Sequence, residues 1–183
     1  MLWMRVALAS TVRFYFASLS LCYVSKLRLF PDTLGSHSLF FPVRLFNQGL
    51  DILEVSDDGS GVPETSRPFL AQAHATSKIR TFDDIYSTAN SLGFRGEALF
   101  CLANLSEKLI VSTRTEDEPV GQKMEFNHDG TLKKESVVPV PRKVGTTVAV
   151  VKVLGSLPVR RADLERRITQ HRTKLMRMME GCK

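Results

Sequence analysis

Cysteine is scarce in this chain, and acidic residues are missing from its beginning. The only cysteines among its 183 residues are Cys22, Cys101 and Cys182, which lie far apart and form no C-x-x-C pair. This spacing argues against a disulfide framework and against a structural zinc site. A reducing compartment is therefore the expected environment.

No aspartate or glutamate occurs from Met1 to Pro31, where basic residues are mixed with serines and aromatics. Three interpretations compete. A transit peptide has this acid-poor, basic composition. A signal peptide or membrane span needs an uninterrupted apolar run, which Arg13 breaks. The third interpretation, a segment foreign to the fold from a wrongly chosen start or exon, is preferred for a reason given below, and no membrane association is expected.

The remaining composition is that of a soluble globular domain. The chain is 43% hydrophobic and 24% charged, which suits one domain with a true core. Its net charge of +6 permits a polyanionic partner such as nucleic acid without requiring one.

Hydrophobic patterning predicts alternating strands and helices after Phe46. Strands are expected at 51–55, 109–113, 123–126 and 146–153, because these runs are apolar or β-branched and several end in turn residues. The sequence Asn127-His128-Asp129-Gly130 predicts a hairpin that returns along 132–138. A helix over 63–75 is doubtful because of Pro68, whereas 75–79 reads as a loop and 83–89 as a short helix.

The chain ends in a predicted basic amphipathic helix with an apolar face formed by Leu164, Ile168, Leu175 and Met179. Its basic side is expected to be solvated, and contact with a phosphate backbone is the alternative. Helices combined with antiparallel hairpins predict an α/β fold of two layers.

The glycine-rich run 93–99 is the strongest candidate for function. It opens directly into an apolar, helix-forming stretch, so its backbone N–H groups are expected to point toward an anion at the helix N-terminus. The alternative is a tight turn with Gly96 near the helix cap.

Three weaker motifs accompany this run. Asp57-Asp58-Gly59-Ser60-Gly61 follows a predicted strand and places a carboxylate where it could accept a hydrogen bond from a ligand amine, although a surface turn explains it equally simply. Thr76-Ser77-Lys78 suits phosphate, or a polar loop. Gly145-Thr146-Thr147 is explained by a turn into a strand.

Taken in order, these four motifs resemble the MutL DNA mismatch repair family, a branch of the GHKL ATPases. The strings T-S-K-I and G-F-R-G-E-A-L carry the resemblance, and Ser156-Leu157-Pro158-Val159-Arg160-Arg161 is similar to the PMS branch. The resemblance covers roughly residues 50–180. It implies a two-layer GHKL (Bergerat) fold over residues 47–183, and it leaves residues 1–46 unmatched.

The resemblance also implies a role for each motif in binding ATP. Asp57 matches the residue that binds the adenine amino group, with Gly59 and Gly61 beneath the base. Thr146 and Thr147 match a threonine motif near the adenine. The remaining matched residues border or form the nucleotide lid and the helix start around the triphosphate: Thr76, Ser77, Lys78, Gly93, Phe94, Arg95, Gly96, Glu97, Ala98 and Leu99.

Two departures from the family pattern stand out. Asp58 replaces the usual asparagine, which adds a negative charge beside the ligand. The family's first helix, with a string like E-L-V-E-N-S-L-D-A, has no counterpart before Leu50, and Glu54 lies on a predicted strand. In the family, that glutamate is the general base and that asparagine holds Mg²⁺. No catalytic or metal-binding residue is therefore assigned.

The resemblance implies a PMS-type ATPase of mismatch repair whose ATP-driven dimer closes as a clamp on DNA. ATP and Mg²⁺ are the implied cofactors. A MutL-homologue subunit in a heterodimer, DNA and MutS-type mismatch recognition proteins are the implied partners. The nucleus is the implied location, with the mitochondrion as the alternative. The alternative function is a non-catalytic fragment that binds nucleotide without hydrolysing it.

Overall fold

A computed structural model describes residues 23–28, 40–75 and 96–180. The predicted helix at 83–89, nearly all of the predicted loop at 75–79 and the first 22 residues lie outside this part of the chain. The absence of the family's first helix, predicted from the sequence, therefore stays a prediction.

The described residues form one antiparallel sheet with helices. The strands are β1 (Tyr23–Arg28), β2 (Phe40–Phe46), β3 (Ile52–Ser56), β4 (Ser106–Arg114), β5 (Gly121–Phe126), β6 (Val138–Val140) and β7 (Gly145–Val153). The helices are α1 (Ala98–Leu105), α2 (Pro158–Arg166) and α3 (Ile168–Glu180), with short 3-10 turns at Asn47–Gly49, Glu64–Phe69 and Lys134–Ser136. The strand order is β1-β2-β3-β7-β4-β5-β6, and every neighbouring pair is antiparallel.

Alternation along the central strands creates one apolar face and one polar face. On the apolar face, Leu53, Leu109 and Val150 are buried and pack in one core with residues of all three helices, including Ala103 and Leu164. On the other face lie charged pairs such as Arg44–Glu54 and Lys108–Glu125. The helices therefore cover one side of the sheet, and the predicted two-layer α/β architecture is confirmed.

The predicted strand at 132–138 is wrong as a continuous element. Leu132 makes a single bridge to Phe126, a 3-10 turn follows, and β6 then pairs with the start of β5. The Ser136 hydroxyl accepts a hydrogen bond from the Glu125 N–H at 2.8 Å, and so takes a place that a backbone carbonyl would fill in a regular ladder.

The predicted C-terminal helix is two helices that meet at Arg167, where φ is −102° and ψ is 9°. Leu164 and Ile168, on either side of this break, are both buried as predicted. The side chains of Leu175 and Met179 lie outside the described set. Residues 63–75 contain only the 3-10 turn Glu64–Phe69, in which Pro68 supplies no N–H.

The sheet continues across the predicted domain boundary after Phe46. β2 pairs with β3 from Val43↔Val55 to Phe46↔Ile52, and Val43 is buried in the core. The division of the chain at residue 46 stays a prediction about the extent of the family resemblance. Among the described helices, none has the length and hydropathy needed to cross a bilayer.

Candidate functional site

Asp57 is placed by the strand that precedes it. It follows β3 on the same face as Leu53 and Val55, at the end of the sheet where β7 begins. The Asp57 backbone N–H donates to the Thr146 carbonyl at 2.7 Å, which extends the β3–β7 pairing by one residue. Its side-chain Oδ1 accepts hydrogen bonds from the backbone N–H groups of Gly59 and Thr146, each at 3.0 Å. Two strands therefore fix the position of this carboxylate.

The electrostatics of Asp57 suit recognition of a hydrogen-bond donor. Burial raises the pKa of the carboxyl, and the two N–H donors and the charge of Arg142 only partly offset this effect. Within the described part of the chain, Oδ2 has no hydrogen-bond partner, whereas Oδ1 has two. A fixed, partly desolvated acceptor atom of this kind can bind the amino group of a ligand.

Thr113, on β4, links the elements around Asp57. Its side chain is fully buried, and its hydroxyl accepts from the Val62 N–H at 2.9 Å and donates to the Gly145 carbonyl at 3.1 Å. The hydroxyls of Thr113 and Thr146 are 3.2 Å apart. We call Asp57, Thr113 and Thr146 the polar cluster. Thr113 belongs to none of the four motifs, and its signal in the sequence is that a polar residue occupies a position of a predicted strand where the alternation calls for an apolar one.

Two glycines hold the backbone around the polar cluster. Gly61 has a φ of +75°, and a Cβ there would overlap the Arg114 carbonyl. Gly145 has a φ of +126°, and a Cβ there would overlap the Asp57 carbonyl. Both conformations and both close approaches favour glycine. Gly61 thus docks the loop after Asp57 onto the end of β4.

A buried arginine fixes the same loop from its other side. The Arg67 side chain is only 3% exposed, and its Nε donates to the Val62 carbonyl at 3.0 Å. Its terminal nitrogens bind Gln122 at 2.8 Å and both Glu118 oxygens at 2.5 and 2.6 Å. This pairing lowers the pKa of Glu118 to about 2. No local pattern in the sequence points to this pair, because the partners are 51 positions apart.

The predicted residues at the start of α1 are arranged for backbone contacts. Gly96 has a φ of +63°, and a Cβ there would overlap the Ala75 backbone. Glu97 is the N-cap residue, and its Oε1 lies 3.7 Å from Nδ1 of His74. Ala98 is buried, and Leu99 packs against the core. These two side chains face the protein, so within residues 96–99 the backbone N–H groups are the candidates for binding an anion.

The structure does not bring every predicted residue to the polar cluster. Thr147 lies on the opposite face of β7, where its hydroxyl is 2.8 Å from that of Ser56. Six further predicted residues lie outside the described part of the chain: Thr76, Ser77, Lys78, Gly93, Phe94 and Arg95. Their roles in binding stay predictions, as do those of the described site residues.

Glu54 and the metal-ligating side chains of the described residues lie apart from any catalytic arrangement around Asp57. Glu54 points to the polar face and pairs with Arg44 at 2.8 Å, so it lies on the other side of the sheet from Asp57. No three histidine, cysteine, aspartate or glutamate side chains of residues 23–28, 40–75 and 96–180 cluster to hold a metal ion.

Comparison with known proteins identifies the relatives of this arrangement. The mismatch repair endonuclease PMS2 of Gallus gallus is 35% identical over 153 residues, which span 84% of this chain and 17% of that protein. The DNA mismatch repair protein PMS1 of Arabidopsis thaliana is 36% identical over 153 residues, spanning 84% of this chain and 16% of that protein. The chain belongs to the MutL/PMS mismatch repair family.

A solved structure supports the fold of this MutL-family chain. A crystal structure described as the N-terminal domain of a DNA repair protein is 34% identical, with a TM-score of 0.59 over 73% of this chain and 36% of that one. The predicted GHKL-type fold is confirmed. No family model matches the chain. This MutL-family chain spans about a sixth of the length of the PMS relatives named above.

Proposed function

We propose that this MutL-family chain binds an adenine nucleotide through Asp57 and that this binding serves DNA mismatch repair. The observation that carries the proposal is the asymmetry of the Asp57 carboxylate. Oδ1 is held by two backbone N–H groups, and Oδ2 has no partner among the described residues. Adenine carries an exocyclic amino group that can donate to such an oxygen.

The phosphates are assigned to the other end of the site by the resemblance. Backbone N–H groups at the start of α1, around Gly96, Glu97 and Ala98, would bind them with help from the helix dipole. Mg²⁺ would accompany the triphosphate, and we assign it no ligand among the described side chains. Thr146 lies beside Asp57 and completes the adenine end.

For turnover, we propose that this chain binds ATP without hydrolysing it at a measurable rate. In the family, a glutamate near the N-terminus activates water, whereas the first glutamate of this sequence is Glu54. Glu54 is paired with Arg44 on the polar face of the sheet. We propose that ATP closes a dimer of this chain and a MutL-homologue partner around DNA, and that MutS-type proteins, which recognise the mismatch, are further partners. We propose the nucleus as the place of action, with the mitochondrion as the alternative.

The test compares Asp57→Asn with Asp58→Asn in the full chain. Binding of ATP is measured by calorimetry, and phosphate release is measured with Mg²⁺ present. Asp57→Asn replaces an acceptor oxygen by a donor NH₂, so affinity is expected to fall about tenfold or more, since a hydrogen bond to a charged group contributes roughly 1.5–3 kcal/mol. Asp58→Asn should leave affinity equal or higher, because it removes a negative charge beside the bound nucleotide, which is itself an anion.

Different outcomes separate binding from catalysis. Equal affinity of the unchanged chain and Asp57→Asn would contradict adenine recognition by Asp57. Mg²⁺-dependent phosphate release that Asp57→Asn abolishes would show instead that the chain is an active ATPase and would overturn the proposal of binding without turnover.

A further inference from the structure

We propose that Thr113 is a positioning residue that sets the preference of the site for an amino-bearing purine. The proposal rests on the adenine-nucleotide function proposed above. Its basis is that protein groups satisfy the full hydrogen-bonding capacity of the Thr113 hydroxyl. That hydroxyl has one hydrogen and two lone pairs, and among the described residues it has three hydrogen-bonding neighbours: the Val62 N–H, the Gly145 carbonyl and the Thr146 hydroxyl.

Only one assignment of hydrogens satisfies all three contacts. Val62 N–H donates to Thr113, and the Gly145 carbonyl can only accept, so the single hydrogen of Thr113 goes to Gly145. The Thr146 hydroxyl must then donate its own hydrogen to Thr113. Thr146 is left with lone pairs alone for any ligand. Thr113 thereby makes Thr146 an acceptor.

This assignment gives two neighbouring acceptors at one end of the site. Asp57 accepts through its carboxylate, and the Thr146 N–H that bonds to Asp57 holds the two residues side by side. An amino group, with two hydrogens, matches two acceptors. A purine with an oxygen at the same position presents lone pairs to them and is repelled. Thr113 therefore acts on specificity through Thr146 without touching the ligand.

The experiment measures the affinities of the full chain for ATP and ITP, which differ in having an amino group or an oxygen at position 6 of the purine. Thr113→Val has nearly the same shape but no hydroxyl, and it frees the Thr146 hydrogen to donate to a ligand oxygen. Its ATP-to-ITP preference is expected to fall about tenfold. Thr113→Ser keeps the hydroxyl and should keep the preference.

Ser56→Ala is the matched control, because Ser56 makes the corresponding hydroxyl contact on the opposite face. It should leave the preference unchanged. A merely structural role of Thr113 would weaken ATP and ITP binding equally, and circular dichroism and thermal melting report the fold. Thr113→Ala provides a second hydroxyl-free variant in case Thr113→Val does not fold.

The outcomes distinguish this proposal from the proposed function. If the unchanged chain binds no ATP, the adenine site itself is refuted. If the unchanged chain prefers ATP and either folded hydroxyl-free variant keeps that preference, only the role of Thr113 is refuted. If both hydroxyl-free variants fail to fold, Thr113 is needed for folding, and a separable role in specificity is refuted as well.

Discussion

The three central strands β3, β7 and β4 end very differently at their two ends. At one end lie the buried or half-buried polar groups of the cluster, Asp57, Thr113 and Thr146, joined by hydrogen bonds of 2.7 to 3.2 Å. At the other end, Leu154 and Leu164 are buried together in the core. Charges there stay near the surface, as in the pair Lys152–Glu107, whose side chains are 51% and 44% exposed.

This difference separates stability from function. An apolar end gains free energy from burial at roughly 25 cal/mol per Å², and it needs no partner. A polar end must satisfy each group it buries, and a carboxylate oxygen without a partner costs free energy until something binds it. Changes at the apolar end are therefore expected to alter unfolding alone, whereas changes to the residues of the polar cluster alter ligand recognition.

The largest expected effect is at the apolar end. Leu164 on α2 is only 1% exposed, so Leu164→Ala should lower the free energy of unfolding by about 3 kcal/mol through lost burial and a cavity. Val159→Ala on the same helix removes a side chain that is 82% exposed and should have almost no effect. Urea unfolding measures both. A changed ATP-to-ITP preference in folded Leu164→Ala would break the separation of the two ends.

A smaller effect is expected from the loop that docks beside the polar cluster. Gly61→Ala forces a side chain into a left-handed conformation and against the Arg114 carbonyl, so it should cost about 2 kcal/mol of stability. Gly59→Ala is the comparison, because its Cβ would meet only the Asp57 side chain, with Oδ1 at 3.1 Å. It should cost less stability than Gly61→Ala and act mainly on nucleotide affinity, because the added Cβ presses on the Asp57 carboxylate. Equal losses of stability would show that the loop is not docked through Gly61.

How far the sequence predicts each end depends on whether the signal is local. The sequence predicts strands at 51–55 and 146–153, because β-branched and apolar residues mark them locally, and the structure has them at 52–56 and 145–153. Asp57 is a candidate because it follows the first of these strands. The prediction of a strand at 132–138 is wrong because the Ser136 hydroxyl, rather than a backbone carbonyl, accepts the hydrogen bond from the Glu125 N–H. A propensity scale does not contain that competition.

The support around the candidate site was harder to predict. Arg67 and Glu118 meet only after the chain has folded, and a lone arginine in a polar stretch predicts a solvated side chain. Thr113 likewise becomes a junction only when β4 lies beside β7 and the loop at Val62. Motifs predicted where the polar cluster lies, whereas long-range packing determines how it is held.

The smallest effect sharpens the comparison through pH. In the folded chain, Arg67 lowers the pKa of Glu118 from 4.5 to about 2, so this pair adds stability that is complete above about pH 4.5 and is lost as the pH falls toward 2. Burial raises the pKa of Asp57, so the contribution of Asp57 to stability depends on pH in the opposite direction. The stability associated with its protonated form is present at low pH and is lost as the pH rises. The polar end thus contains two carboxyls with opposing pH dependence.

Glu118→Gln isolates the first of these two groups. At pH 7 it should lower the free energy of unfolding by about 1.5 kcal/mol, because it weakens a charged hydrogen bond to the buried Arg67. The difference from the unchanged chain should shrink steadily below pH 4.5, since Glu118 is then increasingly protonated in the unfolded chain and, nearer pH 2, in the folded one. Urea unfolding at intervals from pH 7 to pH 3 measures this difference in the free energy of unfolding, and Asp117→Asn, at an exposed neighbouring position, is the control. A difference that stays constant over this range would mean that Arg67 is held by shape and neutral contacts rather than by the Glu118 charge, and the polar end would then resemble the apolar end in how it is stabilised.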